Sequence, residues 1–152
     1  VIETSEPDAL QQEAIRELWN NEYPGQLNHP DTGSFRNYLQ QLSEQKHFLL
    51  VDDNDSVRGW AFVFVRDREK WFAVIIDSRW QGSGCGKLLL NKLKENATKL
   101  SGWVIDHSND KKGNGENYLS PLAFYLKHGF VVCADTRLER DKISAVKVEW
   151  PA

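Results

Sequence analysis

Residues 78–93 read SRWQGSGCGKLLLNKL, with glycine at 82, 84 and 86 and a leucine-rich amphipathic run directly behind them. Before them stands WFAVIID (71–77), an almost unbroken apolar stretch of the kind that forms a strand buried on both faces. Together they read as a strand entering a helix through a tight glycine turn. The first N–H groups of such a helix lack internal partners and lie at the positive end of its dipole, so the turn suits an anion. Glycine at alternate positions lets the backbone bend and approach a ligand closely. A bare turn needs one glycine; three, interleaved with Gln81, Ser83 and Cys85, point to phosphate binding.

Two familiar phosphate loops fail on spacing. The P-loop would require glycine at 81 and a hydroxyl at 88, where Gln81 and Leu88 stand. The dinucleotide fingerprint, started at Gly82 or Gly84, would need glycine at 87 or 89, where Lys87 and Leu89 stand.

The pattern continues on either side. VIETSE reads as a short strand, and Ser5-Glu6-Pro7-Asp8 as the start of a helix striped by Leu10, Ala14, Ile15, Leu18 and Trp19. Tyr23-Pro24-Gly25 ends it, and Ser34 is placed to cap a second helix carrying Phe35, Tyr38, Leu39 and Leu42. HFLLVD (47–52), the turn 53–56 and the β-branched and aromatic run 57–65 make a hairpin, and a tight connection at 66–70 leads into the strand at 71–77. Beyond the glycines, the helix face Leu89, Leu93, Ala97 and Leu100 is expected to stop at Ser101-Gly102, with WVIDH (103–107) as the next strand. After the polar loop SNDKKGNGEN, Ser120-Pro121 opens the helix LAFYLKH, which Gly129 stops. Residues 130–134 and 145–150 form the last strands. This order predicts a single domain over 1–152. It is an α/β fold with a mixed, mostly antiparallel sheet of about six to seven strands flanked by about four helices. The strand at 71–77 is central, and 71–107 is a parallel, right-handed crossover.

The 152 residues are 40% hydrophobic, 27% charged and 11% aromatic, an ordinary globular make-up. A net charge of -3 argues against general affinity for nucleic acid or an anionic membrane. Cys85 and Cys133 lack metal-ligand spacing, so neither a zinc site nor a disulfide framework is expected, and His29, His47, His107 and His128 share no pattern. The apolar runs are too short to span a bilayer and VIETSEPD lacks the apolar core of a signal peptide, so a cytoplasmic protein is expected.

The segment Gln81-Gly82-Ser83-Gly84-Cys85-Gly86 resembles the [Arg/Gln]-x-x-Gly-x-[Gly/Ala] motif of the GNAT family of N-acetyltransferases, and residues 123–130, AFYLKHGF, resemble the family's second signature. The resemblance implies the GNAT fold and transfer of an acetyl group from acetyl-CoA to an amine. The loop amides, with Lys87 beside them, would hold the cofactor pyrophosphate. The strands at 71–77 and 103–107 would splay to admit the pantetheine arm against backbone groups near Val74, Ile75 and Ile76, and an N–H at a bulge there would polarise the acetyl carbonyl. Tyr125 is the implied general acid, since phenols titrate near ~10 and thiols near ~8.5. Some members place a glutamate near the start of the central strand, where this chain has Lys70 with Glu69 one residue earlier. The base therefore stays open between Glu69, Asp77 and a water relay. Ser108, Asn109 and Asn117 are candidates to line the cleft, and Cys85 for an acyl-cysteine route, although direct transfer is the family's usual one. The acceptor would meet residues 20–34 and 66–70, where Glu22, Asp31 and Glu69 favour a small amine. A homodimer through an exposed final strand, and a catalytically silent acyl-CoA-binding module, are the further expectations.

Overall fold

The computed structural model describes residues 1–151. β1 (Ile2–Thr4) leads to α1 (Ala9–Glu22), which begins with a reciprocal cap: Asp8 accepts from the Gln11 N–H at 2.8 Å, and the Gln11 side chain accepts from the Asp8 N–H at 2.9 Å. α2 (Thr32–Gln40) is capped by Asp31 rather than by Ser34 as expected. The Asp31 carboxylate takes the Ser34 N–H at 2.8 Å, while the Ser34 hydroxyl pairs with His29 Nδ1 at 3.0 Å.

β2 (Ser43–Val51), β3 (Val57–Arg66) and β4 (Glu69–Ile76) follow as an antiparallel meander, then α3 (Cys85–Glu95), β5 (Leu100–Val104), α4 (Leu122–Lys127), β6 (Val131–Arg140) and β7 (Ile143–Trp150). One seven-stranded sheet results, in the order β1-β2-β3-β4-β5-β7-β6. Every neighbouring pair is antiparallel except β4 and β5. The central position of the 71–77 strand and its parallel partner agree with the sequence reading. The final strand does not: β7 lies between β5 and β6, and β6 forms the edge.

Alternation along β4 divides the core. Trp71 and Ile75 join Trp60, Phe62 and Phe64 under α1 and α2, whereas Phe72 and Ile76 join Leu89, Leu93 and Tyr125 under α3 and α4. α3 stops at Glu95, earlier than its apolar stripe suggested, because Leu100, Ser101 and Gly102 belong to β5. Gly102 is therefore not a helix stop. The Phe72 ring lies so close that a Cβ at 102 would sit 2.6 Å from Phe72 Cε1. Replacing Gly102 with alanine should cost about 1–3 kcal/mol in denaturant unfolding, the usual penalty of overpacking; an unchanged midpoint would refute this contact.

Buried His47 on β2 is 0% exposed, stacked on Trp60 and Phe62. Its Nδ1 accepts from Trp60 Nε1 at 3.0 Å, which leaves Nε2 to donate to the Gln45 side chain at 2.9 Å. Burial lowers its pKa from 6.5 to about 4. The unfolded chain thus binds a proton near 6.5 that the folded chain takes up only near 4, and stability falls as pH drops through that window, by about 3 kcal/mol in total. The His47→Gln variant should lack this part of the acid limb in urea titrations at stepped pH.

Candidate cofactor cleft and active site

The site begins where two parallel strands part. β4 and β5 share a single bridged pair, Trp71 with Ser101, while β4 stays in unbroken register with β3 from Glu69 to Ile76. The bulge expected in this strand is absent from that register. The Asp77 N–H donates to the Arg58 carbonyl at 2.8 Å, and strand alternation then turns the polar groups of Trp71, Ala73 and Ile75 to β3 and those of Phe72, Val74 and Ile76 to the β5 side. Of the three expected cofactor-facing residues, Val74 and Ile76 therefore present backbone to the opening. Ile75 pairs with Trp60 through its backbone and buries its side chain beneath α1 and α2. Facing them, the antiparallel pairing of Gly102 and Val104 with β7 leaves Trp103 turned inward.

Each wall of this opening ends in a side-chain plug. Gln81 Nε2 donates to the Ile76 carbonyl at 3.1 Å, and Ser120 Oγ donates to the Ile105 carbonyl at 2.6 Å. Gln81 belongs to the phosphate motif by sequence, but its side chain braces β4. Ser120 opens a helix by sequence, and in space its hydroxyl also holds the chain just beyond β5. Nothing in the local sequence of Trp103 or Ser120 marks them as cleft residues, because the cleft exists only once β5 has paired with β7.

The glycine turn is open and braced. Gly82 and Gly84 adopt left-handed backbone, φ 81° and 86°, and no atom lies within 4 Å of where a Cβ would be. Gly86 is different in kind: a Cβ there would sit 3.1 Å from Phe124 Cζ, so it serves the contact between α3 and α4. Leu88 is the residue whose N–H closes the first helical bond, to the Gly84 carbonyl at 3.0 Å. The N–H groups of Cys85, Gly86 and Lys87 therefore fall in the unpaired first turn. Ser83 Oγ donates to the Trp80 carbonyl at 2.6 Å and lies 3.3 Å from Cys85 Sγ, and Lys87 is exposed beside the turn. Just ahead, Asp77 accepts from Arg79 (N–H, Nε and Nη2) and from Arg58, which hold its carboxyl down to about 2, far too weak a base for neutral pH.

Beneath the opening lies Tyr125 of α4, 6% exposed, its ring centred 5.5 Å from Phe72 and 5.4 Å from Phe130. Burial pushes its phenol above the ordinary tyrosine value, so it holds its proton at neutral pH. Glu69 stands at the start of β4, where Lys147 donates to its carboxylate at 3.0 Å and Ser101 at 3.2 Å. Lys70 points elsewhere, donating to the Asn96 carbonyl at 2.7 Å.

On the α1 side, residues 106–121 form a strap across the end of the sheet. Its Lys111 carbonyl accepts from the Gly25 N–H at 2.8 Å, and its Gly113 N–H donates to the Tyr23 carbonyl at 3.1 Å. Tyr118 is buried with Ile105 and Ala145, against Tyr23 and Trp103. Asn109 is exposed at the strap's start, where its N–H meets His107 Nδ1 at 3.2 Å, and Asn117 is tied to Lys111. Ser108 Oγ accepts from the Ser120 N–H at 3.0 Å. The acids expected to attract an amine are engaged within the chain: Asp31 caps α2, Glu69 holds Lys147, and Glu22 holds Lys112 and the Ser78 N–H.

A mixed seven-stranded sheet, opened between its two parallel strands beside a glycine turn, is the α/β architecture of GNAT acyltransferases. The family model described as acetyltransferase (GNAT) domain matches residues 44–132, more than half of the sequence, and the chain belongs to that family. No curated protein matches it. Among solved structures it is similar to an aminoglycoside 6′-N-acetyltransferase complexed with coenzyme A, at 13% identity over 98% of this chain and 96% of that one, TM-score 0.69. It also resembles a GNAT superfamily phosphinothricin acetyltransferase from Sinorhizobium meliloti in complex with AcCoA, at 12% identity over 97% and 86%, TM-score 0.65. A third, the ribosomal-protein-S18-alanine N-acetyltransferase from Escherichia coli, shares 17% identity over 97% and 92%, TM-score 0.61. At these identities the likeness establishes the fold. Among the described residues no helix is long and apolar enough to cross a membrane.

The two kinds of glycine separate experimentally. Gly84→Ala should cost about 1–2 kcal/mol through left-handed strain and leave the aromatic signature of the core intact. Gly86→Ala should instead displace Phe124 and alter near-ultraviolet circular dichroism, and an unaltered spectrum would contradict the close contact.

Proposed function

We propose that this protein transfers the acetyl group of acetyl-CoA to the primary amine of a small molecule by direct attack. The observation that carries this reading is the β5-facing edge of β4 beyond the single Trp71–Ser101 bridge, about 13 Å long from Phe72 to Ile76 and matched by no residue of β5, which leads to the open glycine turn. An extended arm bearing amides can pair there as an extra strand, with Val74 and Ile76 on one side and Trp103 on the other. Its diphosphate then reaches the N–H groups at Gly82–Lys87, where the absence of any Cβ neighbour at Gly82 and Gly84 leaves room.

In this reading the amine nitrogen bonds to the thioester carbonyl carbon, and the carbon–sulfur bond breaks. Tyr125 donates its phenolic proton to the departing thiolate, a role worth about 10²-fold to 10⁴-fold in rate. A backbone N–H of β4 stabilises the carbonyl oxygen. The amine proton leaves through water or through Glu69, whose carboxylate also accepts from Lys147. Cys85 and Cys133 are both free thiols, in keeping with a reducing, cytoplasmic location. A second copy would pair along β6, the edge strand.

One observation favours a second reading, a silent acyl-CoA-binding module: Glu22, Asp77 and Glu69 each already hold a cation of this chain. Calorimetry with acetyl-CoA on wild-type protein and Gly84→Trp, followed by thiol release with a panel of small primary amines, decides between them. The transferase reading expects saturable binding lost in Gly84→Trp, amine-dependent thiol release, and a kcat at least about tenfold lower in Tyr125→Phe with little change in acetyl-CoA affinity. Binding without thiol release for any amine supports the silent module, and no binding removes both. Glu69→Gln should lower kcat if Glu69 takes the amine proton, and not at all if water does.

A further inference from the structure

Glu22 is the last residue of α1, a position where the helix dipole disfavours a carboxylate, and it is only 8% exposed. Two groups from opposite sides of the cleft compensate it. Oε2 accepts from the backbone N–H of Ser78 at 2.9 Å, immediately ahead of the glycine turn. Oε1 accepts from Lys112 Nζ at 2.9 Å, in the middle of the strap. Lys112 is itself nearly buried, its side chain 9% exposed, and its nearest other acid is Glu116 at 3.7 Å. Beside this pair the strap is bonded backbone to backbone to the segment that follows α1: Pro24 bridges Lys112, Gly25 donates to Lys111, and Gly113 donates to Tyr23. A Cβ on Gly113 would run into the Asn20 carbonyl oxygen, so the strap and the end of α1 touch main chain to main chain.

We infer that Glu22 is a positioning residue that ties the strap carrying Tyr118 to the segment leading into the glycine turn, so that the two sides of the cleft order together. The inference rests on the reading of that turn as the cofactor site. Neither charge tolerates loss of the other, because each would remain in a poorly solvated position. The carboxylate thus transmits: a strap held by Lys112 fixes Glu22, and a fixed Glu22 fixes Ser78. Such coupling is reciprocal, so a ligand that orders the glycine turn must also order the strap. The strap supplies Ser120, the plug on the Ile105 carbonyl, and Tyr118 against Trp103, so its order bears directly on the shape of the cleft.

Hydrogen exchange on wild-type protein, Glu22→Gln, Lys112→Met and Lys112→Arg, each with and without acetyl-CoA, tests this. Lys112→Met alters no residue of the 78–87 segment, yet exchange there should rise about fivefold or more, and Lys112→Arg, which keeps the cation, should restore it. Glu22→Gln should speed exchange in both 78–87 and 106–118. Acetyl-CoA should slow exchange across the strap in wild-type protein but not in Glu22→Gln. The inference is overturned if Lys112→Met affects the strap alone, or if acetyl-CoA protects the strap equally in Glu22→Gln. Failure of acetyl-CoA to bind wild-type protein removes the cofactor reading, and the ligand-free comparison still decides the bridge.

Discussion

The ring of Phe72 resting on the backbone of Gly102 sets the geometry on which the cleft depends. It lies one residue beyond the single β4–β5 bridge, at the point where the parallel strands stop pairing. The same ring touches Tyr125 and Phe130, so the contact that marks the base of the opening also seats the tyrosine beneath it. Any side chain at 102 would push the ring away and loosen both. A fold that leaves backbone unpaired inside a sheet must hold the two walls rigidly from elsewhere. β3 does this for β4 along its whole length, and β7 does it for β5.

Electrostatics does the corresponding work at the glycine turn. The left-handed residues Gly82 and Gly84 make the turn deformable, and the residues ahead of it are held by Asp77 with Arg58 and Arg79 and by Glu22 with Ser78. The acids near the cleft thus serve structure. They keep backbone in place, and the aromatic residues Tyr23, Trp103 and Tyr118 are left as walls on the α1 side.

Much of this was legible in the chain. The strand at 71–77, the glycine turn and the tyrosine helix are local patterns, and local patterns survive in one dimension. Expectations failed where a residue answers to a distant neighbour. Gly102 looks like a helix stop by sequence and is a seat for Phe72 in space. Ser34 looks like a cap, but Asp31 three residues earlier reaches its N–H first. Ile75 sits between two residues whose backbone faces the opening, yet β3 takes its own. Glu22, Asp31 and Glu69 looked like a lure for an amine because their partners Lys112, the Ser34 N–H and Lys147 are not recognisable as such before folding.

The sequence by itself determined that a central apolar strand runs into a glycine-rich helix start, that a tyrosine-bearing helix follows at the family's distance, and that the elements alternate as in an α/β fold. These follow from spacing, since backbone conformation and helix dipoles respond to nearest neighbours along the chain. Only the tertiary structure decided that β4 and β5 part after one pair, which of their residues turn backbone into the gap, and which charged groups are already engaged. Those outcomes depend on long-range pairing and burial, where the partner of a residue lies tens of positions away and leaves no periodic trace in the sequence around it.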